Sequence, residues 1–240
     1  MKVYIMQSDQ RSETLKHLFQ KDNALVSKIE DANTIYMGIK GEFPQCQGVE
    51  KIYNLVYCEN IASECLKKGI QYEYLYSNPK FVLQNSKLTS QAMIYHFIQD
   101  NQCALMEQKI LILGYGACGQ ALAKDLSFLG AKITIGCRNL NLKSKIISRG
   151  FNFACLTQLG IEQYKYIINT IPSNILQNDI DKITQNQKIY DLASFPYGLN
   201  DPKDKNYTIL ASLPSKYVYK SAAKLIYELI MEKEGENVKR

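Results

Sequence analysis

A chain of 240 residues is long enough for two compact domains, each with its own core. Its 46 % hydrophobic and 22 % charged residues exclude a disordered or fibrous protein. The net charge of +6 comes from lysines and arginines dispersed among acids, which argues against a nucleic-acid footprint and suits anionic small molecules.

Lys2-Val-Tyr-Ile-Met6 is a short apolar run that reads as a buried strand. Ser12 is placed to cap a helix in which Leu15, Leu18 and Phe19 recur at helical spacing. Thr34–Met37 and Tyr53–Tyr57 read as further strands. Ile61–Lys68 carries Ile61, Cys65 and Leu66 on one face, with Gly69 as its stop, and Gln71–Leu75 is another strand. Strands alternating with helices imply a small parallel α/β layer. Thr89–Gln102 follows as a connecting helix with Thr89 at its cap, bearing Ala92, Met93, Tyr95, His96 and Ile98. A last helix, Ser221–Glu232, has a 3.6-residue stripe of Ala222, Leu225, Ile226, Leu229 and Ile230, and is expected to return to the first domain. Glu234–Arg240 lacks apolar anchors and should fray. The expected layout is an α/β domain over 1–86, a connecting helix over 87–106, a dinucleotide-binding domain over 107–215 and a closing helix over 216–240.

The strongest local signal lies between these helices. Lys109-Ile-Leu-Ile-Leu113 is a buried strand, Gly114-Tyr115-Gly116-Ala117-Cys118-Gly119 a glycine-rich turn, and Gln120–Leu129 an amphipathic helix. That context gives G-x-G-x-x-G its meaning. Gly114 permits a tight turn, Gly116 lets a diphosphate approach the backbone, and Gly119 lets the helix press against the strand. Unpaired amides and the helix dipole would hold the anion. Gly130 ends the helix, and Ala131–Ile135 begins the next strand, which leads to Gly136-Cys137-Arg138-Asn139. An NAD-selective site places a carboxylate there for the ribose 2′-hydroxyl. Arg138 instead suits the 2′-phosphate of NADP, so the expected cofactor is NADP.

Tyr164–Ile168 forms the fourth strand of this domain and runs into Asn169, Thr170, Ile171 and Pro172, expected at the nicotinamide ribose because ligands of open α/β sheets sit beyond the carboxyl ends of strands. Lys188–Tyr190 leads to Asp191-Leu-Ala-Ser194, where Asp191 reads as an acceptor for backbone amides, and Tyr207–Leu210 leads to Ser212-Leu-Pro-Ser215. Ala193 and Leu213 complete this expected cofactor rim. The seven cysteines form no C-x-x-C pair and no signal-peptide pattern is present, so reduced thiols and a cytoplasmic location are expected. His17 and His96 are too few for a zinc site. No run approaches the roughly 20 apolar residues needed to cross a bilayer, so no membrane partner is expected.

Taken together the chain resembles dipicolinate synthase, in its A-type subunits, as a divergent member. The matching stretches are Leu111–Gly119, Leu129–Arg138, Ile167–Ser173 and Asp191–Ser194, with weaker echoes at Ser8–Arg11, Asn85-Ser86 with Thr89, Leu213-Pro214 and Lys220–Ala222. The resemblance implies an α/β fold in which a Rossmann-type doubly wound parallel sheet is preceded by a smaller flavodoxin-like domain, the two linked by long helices. It also implies NADP-dependent oxidation of dihydrodipicolinate to pyridine-2,6-dicarboxylate during sporulation, and partnership with the flavoprotein-like B-type subunit; a homo-oligomer is a further expected partner. Lys220, Ser86 and Thr89 fall near the substrate by this resemblance.

The departures bear on mechanism. The family continues Asp-Leu-Ala-Ser with Arg-Pro-Gly-Gly, whereas here Phe195-Pro-Tyr-Gly198 follows, and Leu88-Thr-Ser-Gln-Ala92 replaces Pro-Thr-x-Glu-Gly. Losing the arginine removes a bidentate carboxylate partner. Either Lys216 and Lys220 take its place, or the substrate differs, or the chain is a non-catalytic NAD(P)-binding accessory or sensor subunit.

Overall fold

Parallel strands need crossover connections, and the alternation of short apolar runs with amphipathic stretches supplies them. A computed structural model describes residues 1–39, 41–200 and 206–238. The chain divides into two units, Met1–Asn85 with Pro214–Arg240, and Ser86–Leu213.

The first unit holds a four-stranded parallel sheet of β1 (Val3–Ile5), β2 (Thr34–Gly38), β3 (Lys51–Asn54) and β4 (Gln71–Tyr74), in that order. Leu25 adds a parallel bridge to Val3 on the outer side of β1; Val3 N–H donates to Ala24 O at 2.7 Å and Val26 N–H to Val3 O at 3.0 Å. Counting that segment, the extended pieces run second, first, third, fourth, fifth, which is the flavodoxin order. Ile35, Met37, Val49 and Ile52 pack on one face against Ile61 and Cys65 of α2 (Glu59–Lys68). Gly69 closes α2 in the left-handed conformation at φ 67°, where glycine carries no Cβ penalty.

α1 (Gln10–Lys21) starts earlier than Ser12. Asp9 is the cap, its Oδ1 accepting from Ser12 N–H at 2.7 Å, so Ser12 donates its amide to a cap rather than being one. Leu15 and Phe19 are buried, and the Phe19 ring meets Tyr227 of α7 (Tyr219–Val238) edge-on at 5.1 Å. The expected fraying from Glu234 is not seen up to Val238; residues 239 and 240 lie outside the described residues. Glu234 is anchored, accepting from Lys51 Nζ and Tyr53 OH, each at 2.7 Å.

α3 (Pro79–Asn101) also begins well before its expected start. Asn78 Oδ1 accepts from the amides of Lys80 at 2.9 Å and Phe81 at 3.2 Å, and Pro79 occupies the first helical position, where a missing N–H costs nothing. Thr89 is therefore in mid-helix and caps nothing.

The second unit contains β5 (Lys109–Leu113), α4 (Ala117–Phe128), β6 (Lys132–Cys137), α5 (Lys143–Ser148), β7 (Asn152–Cys155), β8 (Tyr166–Asn169), β9 (Lys188–Asp191) and β10 (Tyr207–Ile209). Its six parallel strands are ordered β10-β9-β8-β5-β6-β7, the doubly wound order expected from the sequence. The switch point lies between β5 and β8, where Leu113 is flanked in register by Gly136 and Asn169. A short helix, α6 (Leu213–Tyr217), follows β10. No helix among the described residues is long and apolar enough to cross a membrane.

Glu234 yields a stability prediction. Burial alone would raise its pKa; the hydrogen bonds from Lys51 and Tyr53 outweigh that and hold it below the usual glutamate value. Stability linked to a lowered carboxyl pKa is fully present above the unfolded value and is lost as pH falls through the folded one. Glu234→Gln should therefore cost about 1 kcal/mol at neutral pH, a difference that disappears in acid below the carboxylate range. Denaturant unfolding of both proteins at the two pH values checks it.

Candidate functional site

The glycine turn sits at the carboxyl end of β5, and its three glycines meet three different demands. Gly114 has φ +99°, and its N–H donates to Gly136 O at 2.9 Å; a Cβ there would stand 2.5 Å from Thr170 Oγ1. At Gly119 a Cβ would lie 2.3 Å from the Gly114 carbonyl oxygen, so the first turn of α4 rests directly on the end of the strand. Gly116 is the reverse case: a Cβ would meet nothing within 4 Å. The space above the Gly116 backbone is open.

Gly116 is also the N-cap of α4 and brings no side chain to the helix end. The first amides of a helix have no intrahelical acceptor. Here Gln120 N–H finds Gly116 O at 2.9 Å, leaving the amides of Ala117, Cys118 and Gly119 ahead of it. No acidic residue lies in that first turn to compete with a ligand anion. Desolvation pushes the Cys118 thiol up to about 12, so it stays protonated.

A clasp that the sequence does not reveal holds the turn. Gln120 Nε2 donates to Tyr115 O at 3.1 Å, and Gln120 Oε1 accepts from Arg149 Nη1 at 2.9 Å. Arg149 Nη1 also reaches Tyr115 OH at 3.2 Å, with its guanidinium 5.9 Å from the ring centre. Both ends of the Gln120 amide are thus engaged, and the Tyr115 carbonyl is drawn to that side chain. Nothing in the spacing of residues 115, 120 and 149 announces such a contact.

Arg138 follows the last residue of β6 and is exposed, with Asn139 beside it. Asn139 Oδ1 accepts from Asn141 N–H at 3.0 Å and so caps the next turn.

At the end of β8 the expected roles change, whereas at the end of β9 Asp191 keeps the one expected of it. Asn169 is fully buried: its Oδ1 accepts from Ile171 N–H at 3.0 Å, and its Nδ2 donates to Asp191 Oδ2 at 3.0 Å and Ile171 O at 3.1 Å. Its amide has nothing to offer a nicotinamide ribose. Thr170 Oγ1 donates to Leu113 O at 2.8 Å, tying β8 to β5, so its hydroxyl serves the turn rather than a ligand. Asp191 is a structural acceptor: Oδ1 takes Ala193 N–H at 2.9 Å, and Oδ2 takes Gly198 N–H at 2.7 Å and Tyr207 OH. Ala193 and Leu213 are buried, Ile171 is half-buried against Gly114, and Pro172 is exposed.

Of the residues assigned to substrate, Ser86 is buried and Thr89 half-buried one helical turn apart on α3, and both are engaged in contacts. Lys220 is exposed in the first turn of α7. Ser86 and Thr89 fall in the second unit and Lys220 in the first.

The glycine geometry separates folding from binding. Gly119→Ala should destabilise the protein by about 2 kcal/mol or more, because the backbone oxygen it meets cannot move aside. Gly116→Ala, at an ordinary φ of −73°, should stay within about 1 kcal/mol of the parent. Thermal unfolding of the two variants tests this, and equal losses would contradict it.

Comparison with known proteins bears on this geometry. Residues 104–202 match the family described as "Acetohydroxy acid isomeroreductase, NADPH-binding domain". No curated protein matches the chain. Among solved structures, the A-type dipicolinate synthase chain from Bacillus halodurans is 19 % identical with a TM-score of 0.81, covering 96 % of each chain. Its counterpart from Bacillus subtilis is 18 % identical with a TM-score of 0.82, covering 98 % of this chain and 96 % of its own. A transhydrogenase from Sinorhizobium meliloti is 15 % identical with a TM-score of 0.70, covering 94 % of this chain and 91 % of its own. The resemblance carried by the sequence motifs thus extends over the whole length, and what it shows is that this chain has the fold of the A-type dipicolinate synthase chains.

Proposed function

We propose that the chain is an NADP-dependent oxidoreductase of small cyclic dicarboxylates, working as dipicolinate synthase does on dihydrodipicolinate. The observation that carries this reading is the open space above Gly116, beside the first-turn amides of α4 and next to an exposed arginine at the end of β6. A helix start bare of side chains and acids is a site for a diphosphate. The match of residues 104–202 to an NADPH-binding domain supports the same nucleotide.

In this reading the amides of Ala117, Cys118 and Gly119 hold the diphosphate. Arg138 and Asn139 take the 2′-phosphate, and the backbone of residues 169–172, with Ala193 and Leu213, borders the nicotinamide. The nicotinamide, when bound, exchanges a hydride with the substrate; the protein supplies orientation and charge. Lys220 offers a carboxylate partner, and Ser86 and Thr89 each offer a hydroxyl. The partners this reading calls for, in the cytoplasm, are further copies of the chain and the flavoprotein-like B-type subunit.

A second reading, a nucleotide-binding accessory or sensor protein without turnover, draws on the exposed Phe195 in the segment where the family carries its arginine. Steady-state turnover of dihydrodipicolinate with NADP separates the two.

Arg138 carries the choice of nucleotide. A charge-assisted contact contributes roughly 1.5–3 kcal/mol, so Arg138→Ala should weaken NADPH roughly 10- to 150-fold while NADH binding changes little. A fluorescence titration with both nucleotides reads it. Equal loss for the two would remove Arg138 from the site.

A further inference from the structure

Two of the seven cysteines meet at the carboxyl end of the second sheet. Cys137 is the last residue of β6 and Cys155 the last of β7, and the two are register partners in a parallel pair. The pair before them, Gly136 and Ala154, faces a leucine cluster. A Cβ on Gly136 would stand 2.8 Å from Leu113 Cδ2 and 2.9 Å from Leu159 Cδ2, and Ala154 packs against the same cluster. Side chains alternate along strands, so Cys137 and Cys155 share the opposite face. Adjacent strands lie about 4.8 Å apart, within the roughly 4.4–6.8 Å between Cα atoms that a disulfide spans. Both thiols are free, and β7 is an edge strand, with no second neighbour to stop its end from closing on β6.

The two thiols are prepared for different parts. Cys155 is partly exposed, and its Sγ lies 3.2 Å from Thr157 Oγ1. Hydrogen bonds from the Thr157 hydroxyl and amide hold this thiol below its ordinary value, which raises the share of thiolate, the reactive form. Cys137 is buried, and its Sγ–H donates to Asn139 O at 3.9 Å, across Arg138. Cys118, in the glycine turn, is pushed up to about 12 by burial and is a poor competitor for an oxidant.

We infer that Cys137 and Cys155 form a thiol–disulfide switch that weakens nucleotide binding when a hydroperoxide oxidises it. The Cys155 thiolate attacks one oxygen of hydrogen peroxide and the O–O bond breaks. A sulfenic acid and hydroxide result, and the hydroxide takes up the proton the thiol had lost. The Cys137 thiol then attacks that sulfur, the S–O bond breaks, and a second water leaves with the Cys137 proton. The two thiols lose two electrons and the peroxide gains them. The cross-link draws Cys137 Sγ away from Asn139 O and so displaces the segment that carries Arg138, an effect that rests on the nucleotide reading above.

Peptide mapping of the full chain after hydrogen peroxide, with no nucleotide present, reads the linkage. Fluorescence titration with NADPH before and after oxidation reads its effect. Cys137 should be joined to Cys155, and NADPH affinity should fall about tenfold, both reversed by dithiothreitol. Cys155→Ser should bind NADPH as the parent does and lose its response to peroxide. Cys137→Ser should leave a sulfenic acid on Cys155 that dimedone labels. No linkage, a linkage of either cysteine elsewhere, unchanged affinity in the linked chain, a response that persists in Cys155→Ser, or no dimedone label would each overturn the inference. A reduced chain that binds no NADPH would overturn the nucleotide reading, and the switch with it, whatever the mapping shows.

Discussion

Between the end of β5 and the first turn of α4 there is room for one carbonyl oxygen and no side chain. The Gly114 oxygen occupies the place where a Cβ of residue 119 would stand, and that contact fixes the height of α4 on the sheet. The neighbouring strands reinforce it from both sides. Gly114 N–H bonds to Gly136 O on the β6 side, and Thr170 bonds Leu113 O through both its amide and its hydroxyl on the β8 side. Three strands hold the turn, so the first-turn amides of α4 are placed beside the open space at Gly116 without any side chain having to put them there.

Buried polar side chains are used differently at the carboxyl ends of the two sheets. At the switch point of the second unit, Asn169, Thr170 and Asp191 are all satisfied within the fold, and Asp191 alone gathers Asn169, Ala193, Gly198 and Tyr207. What is left for a ligand there is backbone, which suits a diphosphate common to many nucleotides. At the switch point of the first unit the side chains Arg11, Ser12 and Tyr36 keep atoms that the fold does not satisfy.

Much of this architecture is legible in the sequence because it rests on local chemistry. The order buried strand, G-x-G-x-x-G, amphipathic helix determines the first β-α-β unit, and the alternation of elements determines parallel pairing in both sheets. Helix starts are misread where two capping signals compete. Asp9 and Ser12 are both good caps, and only packing shows that Ser12 belongs inside, where its side chain is buried. Asn78-Pro79 is a readable start for α3, since a capping amide followed by proline suits the first helical position, but the stronger apolar stripe further along points to Thr89 instead. The inward direction of the Asn169 side chain cannot be read, because it depends on Asp191, 22 residues away in sequence. The Tyr115, Gln120 and Arg149 clasp is hidden for the same reason.

Nucleotide binding in this fold depends most on the first-turn amides of α4 receiving a diphosphate. Residue-resolved amide hydrogen exchange of the full chain, with and without saturating NADPH, measures this at the atoms concerned. Slowed exchange at Ala117, Cys118 and Gly119 on adding NADPH is the predicted result. Exchange at those three amides that is indifferent to the nucleotide would contradict it.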